Sequence, residues 1–595
     1  MNKTHERQYR ALELPEIISG LLAMLIVFWE ACFTGLATGA AELQMFREGL
    51  HLLLCGVVWL NTLAVLLHFI TKLVHREAPG RFLWWQLCTG LPASYVFYGG
   101  LFLQLPAYVF HLSIVLSFII GIYSCITISG LIREHRQRNT PRSKSRWSPA
   151  VVFFTWMVSF VLISTLLLLT PGATSKPISF TDAFFTCASA ISITGLTCVD
   201  VAGTFTPLGK IVLLIDIQIG AMGVMTFSYF VLLMVGKRLA VRDRVAISSL
   251  LDQQGVNIIP SLIKAVIFVT FGVEAIGAVL LYFLWNGAPG VPQDHLWFRA
   301  MFHAISAFCN AGISLFPQNM AEACVAHDKA VQGVMMLLTL AGTLGFSVYL
   351  EAMTRLHNKL CGKRNPVRWS THSWLVLRVT LIVMLVGAVG LAVIAAIEPS
   401  THLHSADYNL WESLWNTIGR SAGFTITDIS TYGPVYQLFL CLLMFVGGNP
   451  AGTGGGVFAP VFALCILEVL RVLRGQQDLE LHGRRIARNT VERAMATLVL
   501  STLWIAGSTM LLLLLEPGIS QSANGTVKLL FLEISAYTTT GYSICNPGEL
   551  CDISKLFICA NMLFGRVGMF TFMLIFIKQK DPSPLRYPET RLPLT

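Results

Sequence analysis

Four short turns in this chain share residue types that suit one kind of chemistry. They read Ser192-Ile193-Thr194-Gly195-Leu196, Cys309-Asn310-Ala311-Gly312-Ile313, Arg420-Ser421-Ala422-Gly423-Phe424 and Thr538-Thr539-Thr540-Gly541-Tyr542, and their glycines are separated by 117, 111 and 118 residues. A monovalent cation stripped of its water needs about eight oxygen partners, which rings of backbone carbonyls from four loops can supply. Turning successive carbonyls toward one axis requires backbone angles that a Cβ disfavours, so glycine suits the pivot. A single turn of this kind means nothing, because glycine is common in membrane helices; four at near-equal intervals do. The candidate ion-binding residues are therefore Ile193, Thr194 and Gly195, then Asn310, Ala311 and Gly312, then Ser421, Ala422 and Gly423, then Thr539, Thr540 and Gly541, all acting through main-chain oxygens.

Such turns need elements that hold them at membrane depth. Before each lies a short helical stretch, residues 180–191, 295–308, 408–418 and 527–537, with Ser179, Asp294, Asp407 and Thr526 as candidate N-caps. At 1.5 Å per residue, about 12 residues reach roughly 18 Å, too short to cross a bilayer and suited to a re-entrant helix. Non-helical backbone at that depth is tolerated where it lines a wet cavity or is buried in protein. The C-terminal, partly negative ends of these helices would favour a cation in the cavity below. The fourth turn, Thr539-Thr540-Gly541-Tyr542, closely approaches the Thr-Val-Gly-Tyr pattern of potassium-channel filters.

Composition agrees. The chain has 595 residues, of which 54% are hydrophobic and 12% charged, against about 25% charged in an ordinary soluble domain. This excludes a soluble globular protein and a disordered one. About twelve apolar runs are long enough to span: residues 17–39, 52–70, 83–105, 108–131, 151–169, 209–235, 263–284, 330–350, 374–397, 437–470, 494–515 and 555–577. Lys and Arg gather before the first run and after every even-numbered one, as at Arg133, Arg136 and Arg138 or at Arg484, Arg485 and Arg488. The positive-inside rule then places both termini in the cytoplasm. The net charge of +10 is read as cytoplasmic loop charge. No basic stripe interleaved with aromatics points to nucleic acid, and no Cys/His spacing points to a structural metal. No covalently bound cofactor is expected.

Other polar features interrupt the apolar runs. Residues Gly447, Gly448, Gly452, Thr453, Gly454, Gly455 and Gly456 break the tenth run, since so many glycines cannot sustain a helix; a kink or a non-helical loop would follow. Arg566 lies inside the last run, where a charge is costly unless it faces water or a partner. Asp216 and Glu274 are also intramembrane, with helix–helix hydrogen bonding as the plain reading, and Asp216 could instead compensate Arg566 or attract cations. His303 reads as a packed helix side chain. Cys545 and Cys551 could form an external disulfide in an oxidising compartment. Asn524-Gly525-Thr526 matches a glycosylation sequon but also suits a helix cap.

Residues 151–580 resemble the Trk/Ktr/HKT superfamily of potassium-translocating subunits, in particular the bacterial Ktr/Trk type. The resemblance is carried by the four turns, by Gln218-Ile219-Gly220-Ala221-Met222-Gly223, Phe302-His303-Ala304-Ile305-Ser306-Ala307-Phe308, Met444-Phe445-Val446-Gly447-Gly448 leading to Gly452-Thr453-Gly454-Gly455-Gly456, and Phe564-Gly565-Arg566-Val567-Gly568. It implies an all-α polytopic membrane protein with four M1–pore helix–M2 repeats in pseudo-fourfold arrangement around one pore, here preceded by about four extra transmembrane helices. The division expected is an N-terminal extension over 1–147 and repeats over 148–245, 246–368, 369–490 and 491–595. It implies potassium uptake across the plasma membrane, with potassium at the turn carbonyls. The glycine-rich loop would be the gate, and Arg566 an electrostatic barrier beneath the filter. It also implies a homodimer in lipid and a separate cytosolic nucleotide-binding ring. The family commonly has Lys after the glycine run, where this chain has Val457-Phe458. The alternatives are a potassium-binding subunit of an ATP-driven pump, a sodium/potassium symporter and a polytopic membrane enzyme. No P-loop, GxGxxG turn or HExxH motif occurs.

Overall fold

The structure is a computed structural model that describes residues 149–223, 259–360, 369–398, 406–450, 452–481, 483–522 and 524–568. The first four expected spans, the extension over 1–147, and the ends of the sixth and twelfth spans lie outside the described residues.

What is described is almost wholly helical. In chain order the principal helices are α1 (Pro149–Leu168), α2 (Phe180–Ser192), α3 (Pro207–Met222), α4 (Ile259–Trp285), α5 (Leu296–Phe308), α6 (Lys329–Thr343), α7 (Phe346–Leu360), α8 (Thr371–Ile397), α9 (Ala406–Gly419), α10 (Pro434–Phe445), α11 (Ala459–Leu473), α12 (Arg488–Leu515), α13 (Gly525–Tyr537) and α14 (Asp552–Val567). A two-residue-per-strand hairpin, Glu480–Leu481 against Arg484–Arg485, joins α11 to α12.

Among the described residues, three helices are long and apolar enough to cross a membrane by themselves: Val266–Trp285 within α4, α8 and α12. At most 33% of each apolar window is buried inside the protein. The remainder presents side chains such as Phe268, Leu385 and Leu514 outward, as expected where lipid is the neighbour. The chain is a multi-pass membrane protein. The eighth expected span is not one helix but two, α6 and α7, bent by 97° about Leu344 and Gly345. The apolar run continues through the bend, which is why periodicity shows no break there; Gly345, with φ +85°, makes it.

The four short helices, α2, α5, α9 and α13, fall where the sequence indicates, and their caps only partly do. Ser179 caps α2 by accepting the Asp182 N–H at 3.1 Å. Asp294 and Thr526 do not cap: α5 and α13 follow His295 and Asn524, both in the left-handed region at φ 52° and 59°. There the chain reverses sharply into the helix, and the reversal itself takes the cap position. Asp407 lies inside α9, which already begins at Ala406.

Three of the four short helices, α2, α5 and α13, end against a second helix. Gly220 of α3 abuts the Ile191 carbonyl, Gly342 of α6 the Phe308 carbonyl, and Gly565 of α14 the Tyr537 carbonyl, so closely that no Cβ fits. On the outer rim, Thr181 donates to Asp552 at 2.8 Å and Lys555 pairs with Asp182 at 2.9 Å, tying the start of α2 to the start of α14. These contacts join elements roughly 370 residues apart in sequence.

The packing makes a pair of opposite expectations. Gly565→Ala forces a methyl into the Tyr537 carbonyl and should cost about 1–3 kcal/mol, read as a lower midpoint in thermal unfolding of the lipid-reconstituted protein. Gly272→Ala in α4, where a Cβ meets nothing within 4 Å, should be neutral or slightly stabilising.

Candidate functional site

The local chemistry of the four turns is not uniform. After α2, α5 and α13 the chain closes with a non-glycine residue in the left-handed region: Ile193 (φ 60°), Asn310 (φ 59°) and Thr539 (φ 51°). The next N–H then reaches back five residues, Thr194 to Ser189 O at 2.8 Å, Ala311 to Ser306 O at 2.8 Å and Thr540 to Ser535 O at 2.9 Å. This is the hydrogen-bond pattern of a Schellman cap, built without its usual glycine. Such a conformation costs of order 1–3 kcal/mol per residue and survives where surroundings over-determine it. The third turn differs. Ser421 is not left-handed, and Ala422 and Gly423 both donate to Gly419 O, at 2.8 and 2.7 Å.

The pivot glycines carry the main result. All four have positive φ: Gly195 at 90°, Gly312 at 66°, Gly423 at 73° and Gly541 at 96°. Each abuts the carbonyl that precedes the pivot of another turn. Gly195 faces Ala311 O, Gly312 faces Ala422 O, Gly423 faces Thr540 O, and Gly541 faces Thr194 O. The contacts run from first turn to second, third, fourth and back to first. A Cβ on Gly195 would lie 2.5 Å from Ala311 O. Glycine is thus required twice at each position, for its backbone angle and for the close approach of the next strand. Of the twelve candidate residues, Gly195 and Gly541 are half-buried and the other ten are buried.

Side chains behind the turns brace them. The hydroxyls of Ser192 and Thr194 lie 2.7 Å apart and those of Thr538 and Thr540 2.9 Å apart. Thr540 donates to Arg420 O at 2.8 Å, joining turn four to turn three, and Ser421 donates to Asn310 Oδ1 at 3.2 Å, joining three to two. The indole of Trp415 donates to Phe424 O at 2.8 Å. His303 is fully buried; its Nδ1 sits 2.8 Å from Arg299 O and its Nε2 accepts the Leu315 N–H at 3.2 Å. It is a packed side chain that supports the strand leaving turn two.

The glycine run is a folded loop and not a kink. Its limbs pair through a bridge between Val446 and Val457, with Gly447 N donating to Val457 O at 2.8 Å and Gly448 N to Gly455 O at 3.1 Å. Gly455 and Gly456 pass directly against Thr539 and Thr538. Thr453 is the hub at its tip. Its N–H donates to Gly342 O at 3.1 Å and its hydroxyl to Phe308 O at 3.1 Å. That hydroxyl also accepts from the Asn310 amide at 2.5 Å. Arg566 donates to Thr453 O at 2.5 Å and to Gly220 O at 2.8 Å. Gly447, Gly448, Gly452, Gly454, Gly455, Gly456 and Arg566 are therefore brought together beside the turns.

Neither intramembrane carboxylate compensates Arg566. Asp216 accepts from Ser164 at 2.5 Å, and Glu274 from Gln218 at 3.3 Å and from the Cys309 thiol at 3.5 Å. Both join helices. Cys545 and Cys551 are free thiols, not a disulfide; Cys551 sits 3.1 Å from the Ser554 hydroxyl as the residue before α14. Among the described residues, no group of three His, Cys, Asp or Glu could hold a metal ion. Two buried groups carry contacts that sequence reasoning missed. Glu533 on α13 accepts from Ser508 at 2.6 Å and Asn561 at 2.9 Å. Arg420 places its guanidinium on the carbonyls of Leu443, Val446 and Gly447. The available signal for Arg420 was a cation at a position where the other turns have Ser192, Cys309 and Thr538.

Known proteins share long stretches of this sequence. The chain is 31% identical over 451 residues to the Ktr system potassium uptake protein B of Bacillus subtilis (strain 168), covering 75% of this chain and 96% of that one. It is 26% identical to the potassium/sodium uptake protein NtpJ of Enterococcus hirae, covering 76% and 98%. Among solved structures, the crystal structure of the potassium transporter TrkH from Vibrio parahaemolyticus matches with a TM-score of 0.58 at 16% identity, covering 88% of this chain and 97% of that one, which establishes a shared fold. A profile of the TrkH family, described as cation transport protein, matches residues 115–584, and the chain belongs to that family.

Proposed function

We propose that this protein takes up potassium through a single pore whose selectivity filter is the ring of four glycine turns. The observation that carries the reading is the closed cycle of contacts between each pivot glycine and the carbonyl of another turn. Four strands so placed put carbonyl oxygens around one centre, where they can replace the hydration shell of a potassium ion. The names of the relatives, one a potassium uptake protein and one a potassium/sodium uptake protein, support the same ion.

On this reading Ile193, Thr194 and Gly195, Asn310, Ala311 and Gly312, Ser421, Ala422 and Gly423, and Thr539, Thr540 and Gly541 are the ion-coordinating strands. Each short helix with its flanking helices forms one repeat of a pseudo-fourfold pore domain, with repeats over 148–245, 246–368, 369–490 and 491–595. The loop from Gly447 to Gly456 lies beneath the filter and blocks flow, held by Thr453 and Arg566. Opening requires those hydrogen bonds to release. The Arg566 charge adds a barrier: against an ion roughly 10 Å away at an effective dielectric of about 20 it is worth ~1.7 kcal/mol. The protein works as a homodimer in the plasma membrane with both termini in the cytoplasm. Because the chain has no P-loop of its own, control by nucleotide would come from a separate cytosolic ring. Sodium as a second transported ion is favoured by the likeness to a potassium/sodium uptake protein.

Rescue of a potassium-uptake-deficient strain, with and without candidate ring subunits, tests the function; growth at limiting potassium is expected, and no rescue with any partner would refute it. Rubidium or thallium soaked into crystals should concentrate inside the glycine ring. Gly195→Ser should lower the potassium/sodium preference about tenfold, equivalent to about 1.4 kcal/mol, in flux assays on reconstituted vesicles; an unchanged ratio contradicts the filter assignment. Arg566→Gln should raise potassium uptake at low driving force by roughly twentyfold, the loss of the ~1.7 kcal/mol barrier, and a variant without gain contradicts the barrier.

A further inference from the structure

We propose that Arg420 is a positioning residue that couples ion occupancy of the third turn to the state of the intramembrane loop. The inference rests on the reading of the four turns as a filter and of the loop as its gate.

Arg420 stands where the other three turns have the small neutral residues Ser192, Cys309 and Thr538. It is buried, at 8% exposure, and among the described residues no carboxylate pairs with it. Its Nη1 instead donates to Leu443 O at 3.2 Å, to Gly447 O at 3.4 Å and, most closely, to Val446 O. These carbonyls end α10 and begin the loop. A helix that stops at membrane depth leaves its last carbonyls without partners, which is costly where no water reaches. One guanidinium serves three of them.

The same residue belongs to the filter strand. Its carbonyl accepts from Thr540 at 2.8 Å, so its backbone is fastened to turn four. Turn three also lacks the left-handed closure that fixes the other three. Its position therefore depends in part on the Arg420 side chain, whose guanidinium is held by the upstream hinge of the loop. If the Val446–Gly447 limb leaves its pairing with Gly455 and Val457, the three carbonyls move. Either Arg420 follows, displacing Ser421 and Ala422 from the ring, or its charge loses its partners. Ion binding and loop position then share one free energy, and linkage makes the effect reciprocal: an ion in the filter holds the loop in, and a released loop weakens the ion site.

Asn449 offers a way to loosen the loop without touching the filter. Its amide donates to Thr343 O at 2.9 Å and to Thr380 Oγ1 at 3.1 Å. In the full-length protein in lipid nanodiscs, potassium affinity is measured by calorimetry for the parent, Asn449→Ala, Arg420→Gln and the double variant. Asn449→Ala should weaken potassium binding about fivefold, and in the Arg420→Gln background the same change should be less than twofold. Arg420→Lys, which keeps a cationic donor, should preserve a measurable shift. An equal shift in the presence and absence of Arg420, or no shift from Asn449→Ala in the parent, overturns the coupling. Hydrogen exchange on the unsubstituted protein gives a second test that needs no variant to fold. Replacing choline by potassium should slow exchange at the Gly447 and Gly448 amides. Potassium binding without that slowing refutes the coupling alone, and absence of potassium binding refutes the filter reading itself.

Discussion

Backbone carbonyls and N–H groups at membrane depth must find partners, and the architecture follows from that requirement. A chain of ordinary transmembrane helices meets it within each helix. This chain breaks its helices at depth: at Ser192, Phe308, Gly419 and Tyr537, where the short helices end, and again at Phe445 and Thr343. Each break frees carbonyls. Some are matched by side chains, as Thr453 serves Phe308 O and the two arginines serve Gly220 O, Thr453 O and the end of α10. On the proposed reading the rest face a cation that gains what they lack.

Glycine makes the arrangement compact enough to work. The pivots at Gly195, Gly312, Gly423 and Gly541 touch the carbonyls of other turns, and Gly220, Gly342 and Gly565 touch the carbonyls at the ends of short helices. The two sets act at different heights. On the proposed reading the first brings strands within reach of one ion; the second lets the second helices press against the bases of the short ones. A methyl at either height would separate backbones that are packed too closely to admit it.

Much of this could be read from the residues alone. The near-equal spacing of the four turns, their position between apolar runs and the glycine run that breaks α10 from α11 needed only periodicity and composition. What could not be read was which polar groups meet. Asp216 and Arg566 are opposite charges in one apolar setting, and sequence offers no distance between them; in the structure Asp216 goes to Ser164 and Arg566 to carbonyls. The caps at Asp294 and Thr526 failed because left-handed His295 and Asn524 redirect the chain, a property of backbone angle that residue type only weakly encodes. The bend between α6 and α7 sits inside an unbroken apolar run, so hydropathy could not show it. Arg420 looked like one more residue of a turn motif because its partners are carbonyls, which every residue has.

The buried charges near the four turns also have a common logic. Asp216, Glu274 and Glu533 are each buried and each bonded to neutral donors: Ser164; Gln218 and Cys309; Ser508 and Asn561. Arg420 and Arg566 are likewise bonded to neutral acceptors. Direct ion pairs would have been the simpler way to bury such groups, and breaking one leaves an uncompensated charge at a cost of about 3–5 kcal/mol. If the loop is a gate, as proposed, one closed by such pairs would be hard to open, whereas hydrogen bonds from arginine to loop carbonyls are weaker and can be released one at a time. On the proposed reading of the loop as a gate, keeping the arginines on carbonyls and the carboxylates on hydroxyls and amides leaves that loop fastened firmly enough to close the path and loosely enough to release it.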